Sequence, residues 1–419
     1  MTGQPDTPPV LIRTVSPDDD LDAQLDLAER SFGPTSPAER DWRRQRLATR
    51  TAAGRTLGAF DGDRPAAAAT FHDMRQWWCG RPVPMAGVGG VMVAPEDRGR
   101  GVARRLMAAL LDEMAARGYP LSALYPATMP LYRSFGWELA GARETAVIPA
   151  RSLRHLVPPD PATAPDGAAP DGAASVAGAR SPRLRRAVDG DAETVLSVIG
   201  RVHAAARDCG PITWDAASVA GWLTDPNLYA YLCDDGFLIY RWHNGNDALF
   251  VEGAEAISAC TVRAFWAHVG SHASIADQVY ARVGPADPFW RLARERDAEV
   301  DHRSLWMLRV VDARAAIAAR GFPAAVSLRV PLAIADDHRP ANSGRWRLTV
   351  ADGQGTLDPV TPADGDGALT VGARGLAALY AGTPLLSLRQ AGLARGGSPE
   401  DDAALDAAFA GTAYMLDAF

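Results

Sequence analysis

VGGVMVAPEDRGRGVARRLMAALLDEM, residues Val88 to Met114, decides the reading of this chain. Its first part is a run of β-formers that Pro95 stops, the pattern of a strand end. Beyond the proline, Val102, Leu106, Leu110 and Met114 recur at four-residue spacing, with Met107 and Leu111 beside them. One face of a helix is therefore apolar, and Gly118 supplies a left-handed stop. The joint Arg98-Gly99-Arg100-Gly101-Val102-Ala103 puts small residues and free backbone N–H groups at the helix N-terminus. That end carries the positive pole of the helix dipole and binds anions, so a phosphate-bearing ligand is expected. A dinucleotide fingerprint does not fit, because Arg104 stands where its third glycine would be.

The 419 residues exceed what one core supports and predict two or three domains. A net charge of −7, with no basic block to reverse it, argues against a nucleic-acid partner. Cys79, Cys209, Cys233 and Cys260 are widely spaced, and neither C-x-x-C nor H-E-x-x-H occurs, so no metal site or redox pair is expected. MTGQPDTPPV lacks the pattern of a signal peptide and no apolar run is long enough to span a membrane. A cytoplasmic protein with reduced thiols and no membrane partner is the expectation.

Val157 to Pro182, built from Pro, Ala, Gly and Asp, has too little large apolar surface to offset chain ordering and reads as a linker or long loop. On either side the chain starts alike: IRTVSPDDD from Ile12 and LRRAVDGDA from Leu184 share a short strand, an arginine, a turn and acids. This predicts a duplicated domain, with Leu249–Ala256 and a following helix where the first copy has its strand and phosphate joint. The second copy reads AISACTVRAFW there, without the arginine–glycine pattern. A third region from His302 alternates in AVSLRVPLAI, GRWRLTV and ALTVG, then turns helical, with Ser398 and Pro399 as the start of a last helix. The boundaries expected are 1–156, a linker over 157–182, 183–301 and 302–419. The fold class expected is mixed α/β and α+β.

R-x-x-G-x-A after a strand and before a long helix resembles the acetyl-coenzyme A site of the GNAT superfamily of N-acetyltransferases. The resemblance implies a pyrophosphate on the backbone amides of Arg98, Gly99, Arg100, Gly101, Val102 and Ala103. It also implies a pantetheine arm along Val91, Met92 and Val93. ALYPATMPLYRSFGWELAG, Ala123 to Gly141, resembles the substrate end of such a domain. With a second GNAT-like half, a third α+β domain and Phe419 at the end, the whole chain resembles the enhanced intracellular survival (Eis) acetyltransferase family. That likeness implies two GNAT-like domains, each a mixed sheet flanked by helices, and a C-terminal domain similar to sterol carrier protein. It further implies hexamers, and small-molecule acceptors with several amines, aminoglycosides among them.

Acetyl transfer to an amine needs a proton acceptor, an oxyanion donor and a proton for the leaving thiolate. Met85 to Ala94 contains no acid; Glu96 and Asp97 lie beyond it. In the family the base is the chain's own terminal carboxylate, here that of Phe419, and the acid is the tyrosine that matches Tyr132. A backbone N–H of the Val91–Val93 strand is the simplest oxyanion donor. Phe32 and Trp42 fall where the family's cleft draws aromatic residues. Gly33-Pro34 after Phe32, and Ala418 before Phe419, replace acids expected there, which leaves the acceptor open. Two rivals stay in view: an acyl-coenzyme A-binding regulatory protein without turnover, and a lipid binder acting through the third domain.

Overall fold

The computed structural model describes residues 10–156, 182–294, 296–361 and 367–419. The expected linker lies outside the described residues except for Pro182. The strands of the first half are β1 (Leu11–Thr14), β2 (Thr56–Asp61), β3 (Arg64–Trp78), β4 (Arg81–Val93), β5 (Leu121–Leu124) and β6 (Glu138–Pro149). Those of the second are β7 (Arg185–Arg186), β8 (Cys209–Thr213), β9 (Tyr229–Cys233), β10 (Gly236–His243), β11 (Ala248–Ala256), β12 (Gln278–Val283) and β13 (Glu299–Val310). Among the described residues all thirteen join one sheet, ordered β1-β2-β3-β4-β5-β13-β6-β12-β11-β10-β9-β7, with β8 on β3.

The halves exchange strands. β5 of the first half pairs antiparallel with β13, and β12 of the second pairs antiparallel with β6. Each half is thus completed by a strand from the other, and β6 and β13 pair in the middle. The expected boundary at 302 falls inside β13, which belongs to the large sheet rather than to the third region. Its apolar run reads as a strand in either place, and only long-range pairing decides which sheet receives it.

The Val102–Ala116 helix covers one face of the first half and buries Val102, Leu106, Met107, Leu110, Leu111 and Met114. Burying a side chain of this size stabilises by about 1.5–3 kcal/mol each. The helix ends as the sequence suggested: Gly118 sits at φ +80°, and its N–H donates to the Ala115 carbonyl at 3.0 Å.

Against the other face of the first half packs the C-terminal unit. It holds a second sheet of β14 (Leu328–Ala335), β15 (Gly344–Ala351), β16 (Gln354–Pro359), β17 (Leu369–Gly372) and β18 (Ala394–Arg395), ordered β16-β15-β14-β17-β18. Trp78 and Met85 of the large sheet share one buried cluster with Leu332, Trp346, Leu376 and Tyr380. Arg320 is fully buried at this junction, donating to the Tyr380 carbonyl at 2.6 Å and lying 4.6 Å over the rings of Tyr380 and Phe409. Buried Arg309 donates to Asp336 at 2.6 Å across the same contact. A charge held this way couples the two units, because removing either partner strands the other without water. All four cysteines are free.

Candidate active site

The Arg98–Ala103 joint keeps an open helix end. Gly101 is the N-cap at φ +74° and no side chain caps the helix. Gly99 stands at φ +79°, and a Cβ added to either glycine would meet nothing within 4 Å. These left-handed positions suit glycine, and the first-turn amides have no capping side chain, as an anion site requires. Of the two arginines, Arg100 is drawn aside: its guanidinium hydrogen-bonds Asp97, which is 1% exposed and also accepts from Arg64 at 2.7 Å. Arg64, with Arg100, holds the Asp97 carboxyl below the usual range. Arg98 makes no ion pair among the described residues and is the freer charge.

β4 pairs with β5 in parallel only from Met85 to Val88, opposite Leu121 to Leu124, yet continues to Val93. From Gly89 onward the β5 side of β4 carries backbone donors and acceptors that no strand pairs. The ladder to β3 also shifts register here, with Gly90 at φ +58°. An extended ligand can take up such an edge as a further strand would. Val91, Met92 and Val93 form it.

Side chains alternate across β4. Ala86 and Val88 join the buried cluster that contains Leu106, Leu124 and Tyr132, on the face of the Val102–Ala116 helix. Met85 belongs to the opposite cluster, against which Phe419 packs. Tyr132, on the short Met129–Ser134 helix, has a buried ring, and burial raises its phenol pKa.

Phe419 reaches the opposite face through the segment from Ala413. Tyr414 N–H donates to the Cys209 carbonyl at 3.0 Å and Met415 N–H to the Ala142 carbonyl at 3.1 Å. The passage is narrow: a Cβ at Gly141 would stand 2.1 Å from the Ala413 oxygen, and one at Gly210 2.2 Å from the Tyr414 oxygen. Tyr125 then donates its hydroxyl to the Asp417 carbonyl at 2.6 Å. The Phe419 ring lies 5.6 Å from Tyr125 and 6.2 Å from His72, and a Cβ at Gly87 would come within 2.8 Å of it. Its carbonyl oxygen lies 3.7 Å from where a Gly89 Cβ would be. Tyr132 and Phe419 thus occupy opposite faces of the sheet where β4 and β5 part.

On the Phe419 side opens a cavity of about 800 Å³. One wall comes from the Pro37–Ala52 helix with Trp42, Arg46 and Arg50; the other comes from the second half with Trp214, Trp222, Glu252 and Glu255. Leu416 to Phe419 form the floor.

The family model of the acetyltransferase (GNAT) domain matches residues 12–140, and a second model of that domain matches 212–310. The sterol carrier protein domain matches 313–416. A crystal structure of a GCN5-related N-acetyltransferase from Kribbella flavida is 42% identical, with 100% of both chains covered and a TM-score of 0.89. N-acetyltransferase Eis from Mycobacterium tuberculosis (strain ATCC 25177 / H37Ra) is 28% identical over 374 residues, 86% of this chain and 87% of that one. The chain belongs to the Eis family of GCN5-related N-acetyltransferases. An uncharacterised N-acetyltransferase of Streptomyces avermitilis is 29% identical over 406 residues, 90% of this chain and 91% of that one.

As an Eis-family N-acetyltransferase the protein is an enzyme, not the binding protein without turnover that its sequence also left open. Its GNAT domains imply acetyl-CoA as co-substrate, and the open helix end with its two uncrowded glycines fits the phosphates of that molecule. No helix among the described residues is long and apolar enough to cross a membrane. Of the two expected aromatic residues only Trp42 lines the cavity of this Eis-family enzyme; Phe32 is 58% exposed and stands outside it. Both rings are more than half exposed; Phe32 ends the Leu21–Phe32 helix, whereas Trp42 stands on the next helix at the cavity wall.

Sequence reasoning missed Arg46 and Arg50, although their spacing from Trp42, four and eight residues, already put all three on one helix face. It also missed the acids of the cavity. Glu252, Glu255 and Asp417 come from β11 and the last segment, and no local pattern relates them to Trp42. Burial, with Glu255 nearby, pushes the Asp417 carboxyl up to about 7. His72, beside Phe419, is pushed down to about 3 by burial and by Arg50, so its ring is neutral at physiological pH.

Proposed function

We propose that this Eis-family enzyme transfers acetyl from acetyl-CoA directly to a primary amine held in the cavity. In this reading the Phe419 carboxylate receives the ammonium proton and Tyr132 returns one to the departing thiolate. The observation that carries it is the placement of the two groups on opposite faces of the gap between β4 and β5. The amine then approaches from the cavity, while the thiol leaves on the side of the open helix. Arg98, Gly99, Arg100, Gly101, Val102 and Ala103 would hold the pyrophosphate, and Val91, Met92 and Val93 the pantetheine arm. When bound, acetyl-CoA supplies the activated thioester carbonyl. A β4 N–H beyond Val88 would hold the oxygen of that carbonyl as the C–N bond forms and the C–S bond breaks.

An α-carboxylate has an ordinary pKa of roughly 3.5, far below that of an ammonium. Phe419 therefore orients and partly neutralises the ammonium as well as taking its proton. Tyr132 stays protonated at neutral pH because burial raises its pKa. Its transfer to a thiolate of pKa about 8.5 is uphill and relies on position. The resemblance brings multi-amine acceptors, aminoglycosides among them, and the Glu252, Glu255 and Asp417 side chains support a place for a second ammonium. Trp42 would stack on the acceptor. A hexamer belongs to the same proposal and is read by sedimentation.

Thiol release from acetyl-CoA, measured with a panel of multi-amine acceptors, tests the reading. The native chain should release thiol only with an acceptor, and a chain extended past Phe419 by a short tag should bind coenzyme but turn over far more slowly. Undiminished turnover in the extended chain sinks the carboxylate role.

A further inference from the structure

The charges around the cavity are unequally satisfied. Each glutamate in the wall has a partner in the chain: Glu252 accepts from Arg241 at 2.8 Å, and Glu255 lies 3.5 Å from His203 Nε2. Asp225 is used in a turn, accepting from Asn227 N–H at 2.8 Å. Arg282 donates to Thr145 at 2.6 Å and stands 4.0 Å from Glu252.

Arg46, Arg50 and Arg143 are different. None of the three makes an ion pair or a side-chain hydrogen bond among the described residues. Arg46 lies 4.6 Å over the Trp42 ring and Arg143 5.3 Å over the Tyr125 ring, and the Arg143 Nε is buried without a partner. Arg46 and Arg50 are four residues apart on one helix, so like charges face each other on the cavity wall. Burial, with Arg46 beside it, pulls the Arg50 guanidinium down to about 10. Among the described residues no carboxylate pairs with either arginine. An unpaired, partly desolvated cation is costly, and a fold that keeps two on one wall gains nothing from them until an anion arrives.

We propose that the acceptor carries an anionic carboxylate or phosphate group besides its amine, bound by Arg46 and Arg50 with Arg143 beside them. This rests on the transferase reading above. The amine lies toward Phe419 and the anion toward the Pro37–Ala52 helix, and a molecule with two amines and one carboxylate uses both kinds of wall. Planar guanidinium groups suit either oxyanion, by paired N–H donors. A purely cationic polyamine leaves the arginines unmatched and is the poorer substrate.

Matched acceptors test this: lysine against cadaverine for carboxylate, and O-phosphoethanolamine against ethanolamine for phosphate. In the native enzyme kcat/KM should favour the anionic member of at least one pair by about tenfold or more, the gain of a charge-assisted contact. Which pair shows it identifies the anion. Arg46→Gln/Arg50→Gln should erase that preference, lowering kcat/KM for the anionic member and, with two repelling cations gone, raising it for cadaverine. Equal rates within both pairs, or a preference that survives the double variant, overturns the proposal.

A second measurement does not depend on turnover. With coenzyme A saturating the phosphate loop, succinate or inorganic phosphate should bind the native protein by calorimetry and not the double variant. In the absence of ligand the double variant should melt above the native protein, since an unpaired repulsion is gone. A lower melting temperature makes the arginines structural and overturns the inference, as does failure of both succinate and inorganic phosphate to bind. Binding of either without thiol release from any acceptor sustains the anion site and removes the transferase reading instead.

Discussion

The two halves of the large sheet begin with the same device and end with different ones. Arg13 holds Asp19 through two hydrogen bonds of 2.6 Å, and the Ser16 N–H joins the same carboxylate. Arg185 holds Asp191 at 2.7 Å twice, and the Val188 N–H joins in the same register. Further on, β4 lies parallel to β5, as β11 lies parallel to β12. Yet the helix after β4 opens on Gly101 with no cap, whereas the Ala259–Gly270 helix is closed by Ser258, whose hydroxyl accepts from the Thr261 N–H at 3.2 Å. Asp235 fills the place beside it, accepting from the Ser258 N–H at 3.0 Å and the Thr261 hydroxyl at 2.6 Å. An internal carboxylate fills in one half the position that stays open in the other. The difference shows how little sequence separates an open helix start from a capped one.

If the first half alone carries the chemistry, its substitutions should damage turnover and the matching ones in the second half should not. Tyr132→Phe should have the largest effect, lowering kcat by about 10² to 10⁴ in stopped-flow acetyl transfer with coenzyme affinity unchanged. Equal losses in rate and affinity would make Tyr132 a packing residue. Gly101→Val comes next, because a β-branched residue at φ +74° costs about 1–3 kcal/mol and projects a side chain toward the ligand. Coenzyme affinity by calorimetry should fall by on the order of 10- to 100-fold.

The second half's contribution is the charged far wall, and Asp417 reports on it. Its carboxyl ordinarily titrates at 3.8 and is raised to about 7, so the folded chain binds an extra proton between those values. The stability from that proton is complete below 3.8 and lost as pH rises through about 7. Asp417→Asn should therefore melt above the native protein at about pH 8, with the gap closing toward pH 4. A gap that does not depend on pH would refute this. Smallest is Ser258→Ala, which removes a cap for about 1 kcal/mol in denaturant unfolding and leaves coenzyme affinity alone. A change in coenzyme affinity would mean the second half also binds it.

Val88 to Met114 was legible as strand, glycine loop and helix because each part is local: a β-run, two glycines, an apolar spacing of four. Tyr132 and Phe419 were marked by family resemblance, not by any local rule. The cavity was not legible. Trp42, Glu252 and Asp417 lie far apart in the chain, and nothing in their neighbourhoods says that they line one cavity.

By itself the sequence determined the elements, the duplicated start and the open glycine loop at the helix start, since backbone preference and hydrophobic period act within a few turns of chain. The exchange of β6 and β13 between the halves was decided only in the tertiary structure. So were the placement of Tyr132 and Phe419 on opposite faces of β4 and the gathering of unpaired arginines on one wall. Strand pairing and burial are settled between distant segments, where a strand's pattern names its faces but not its neighbour.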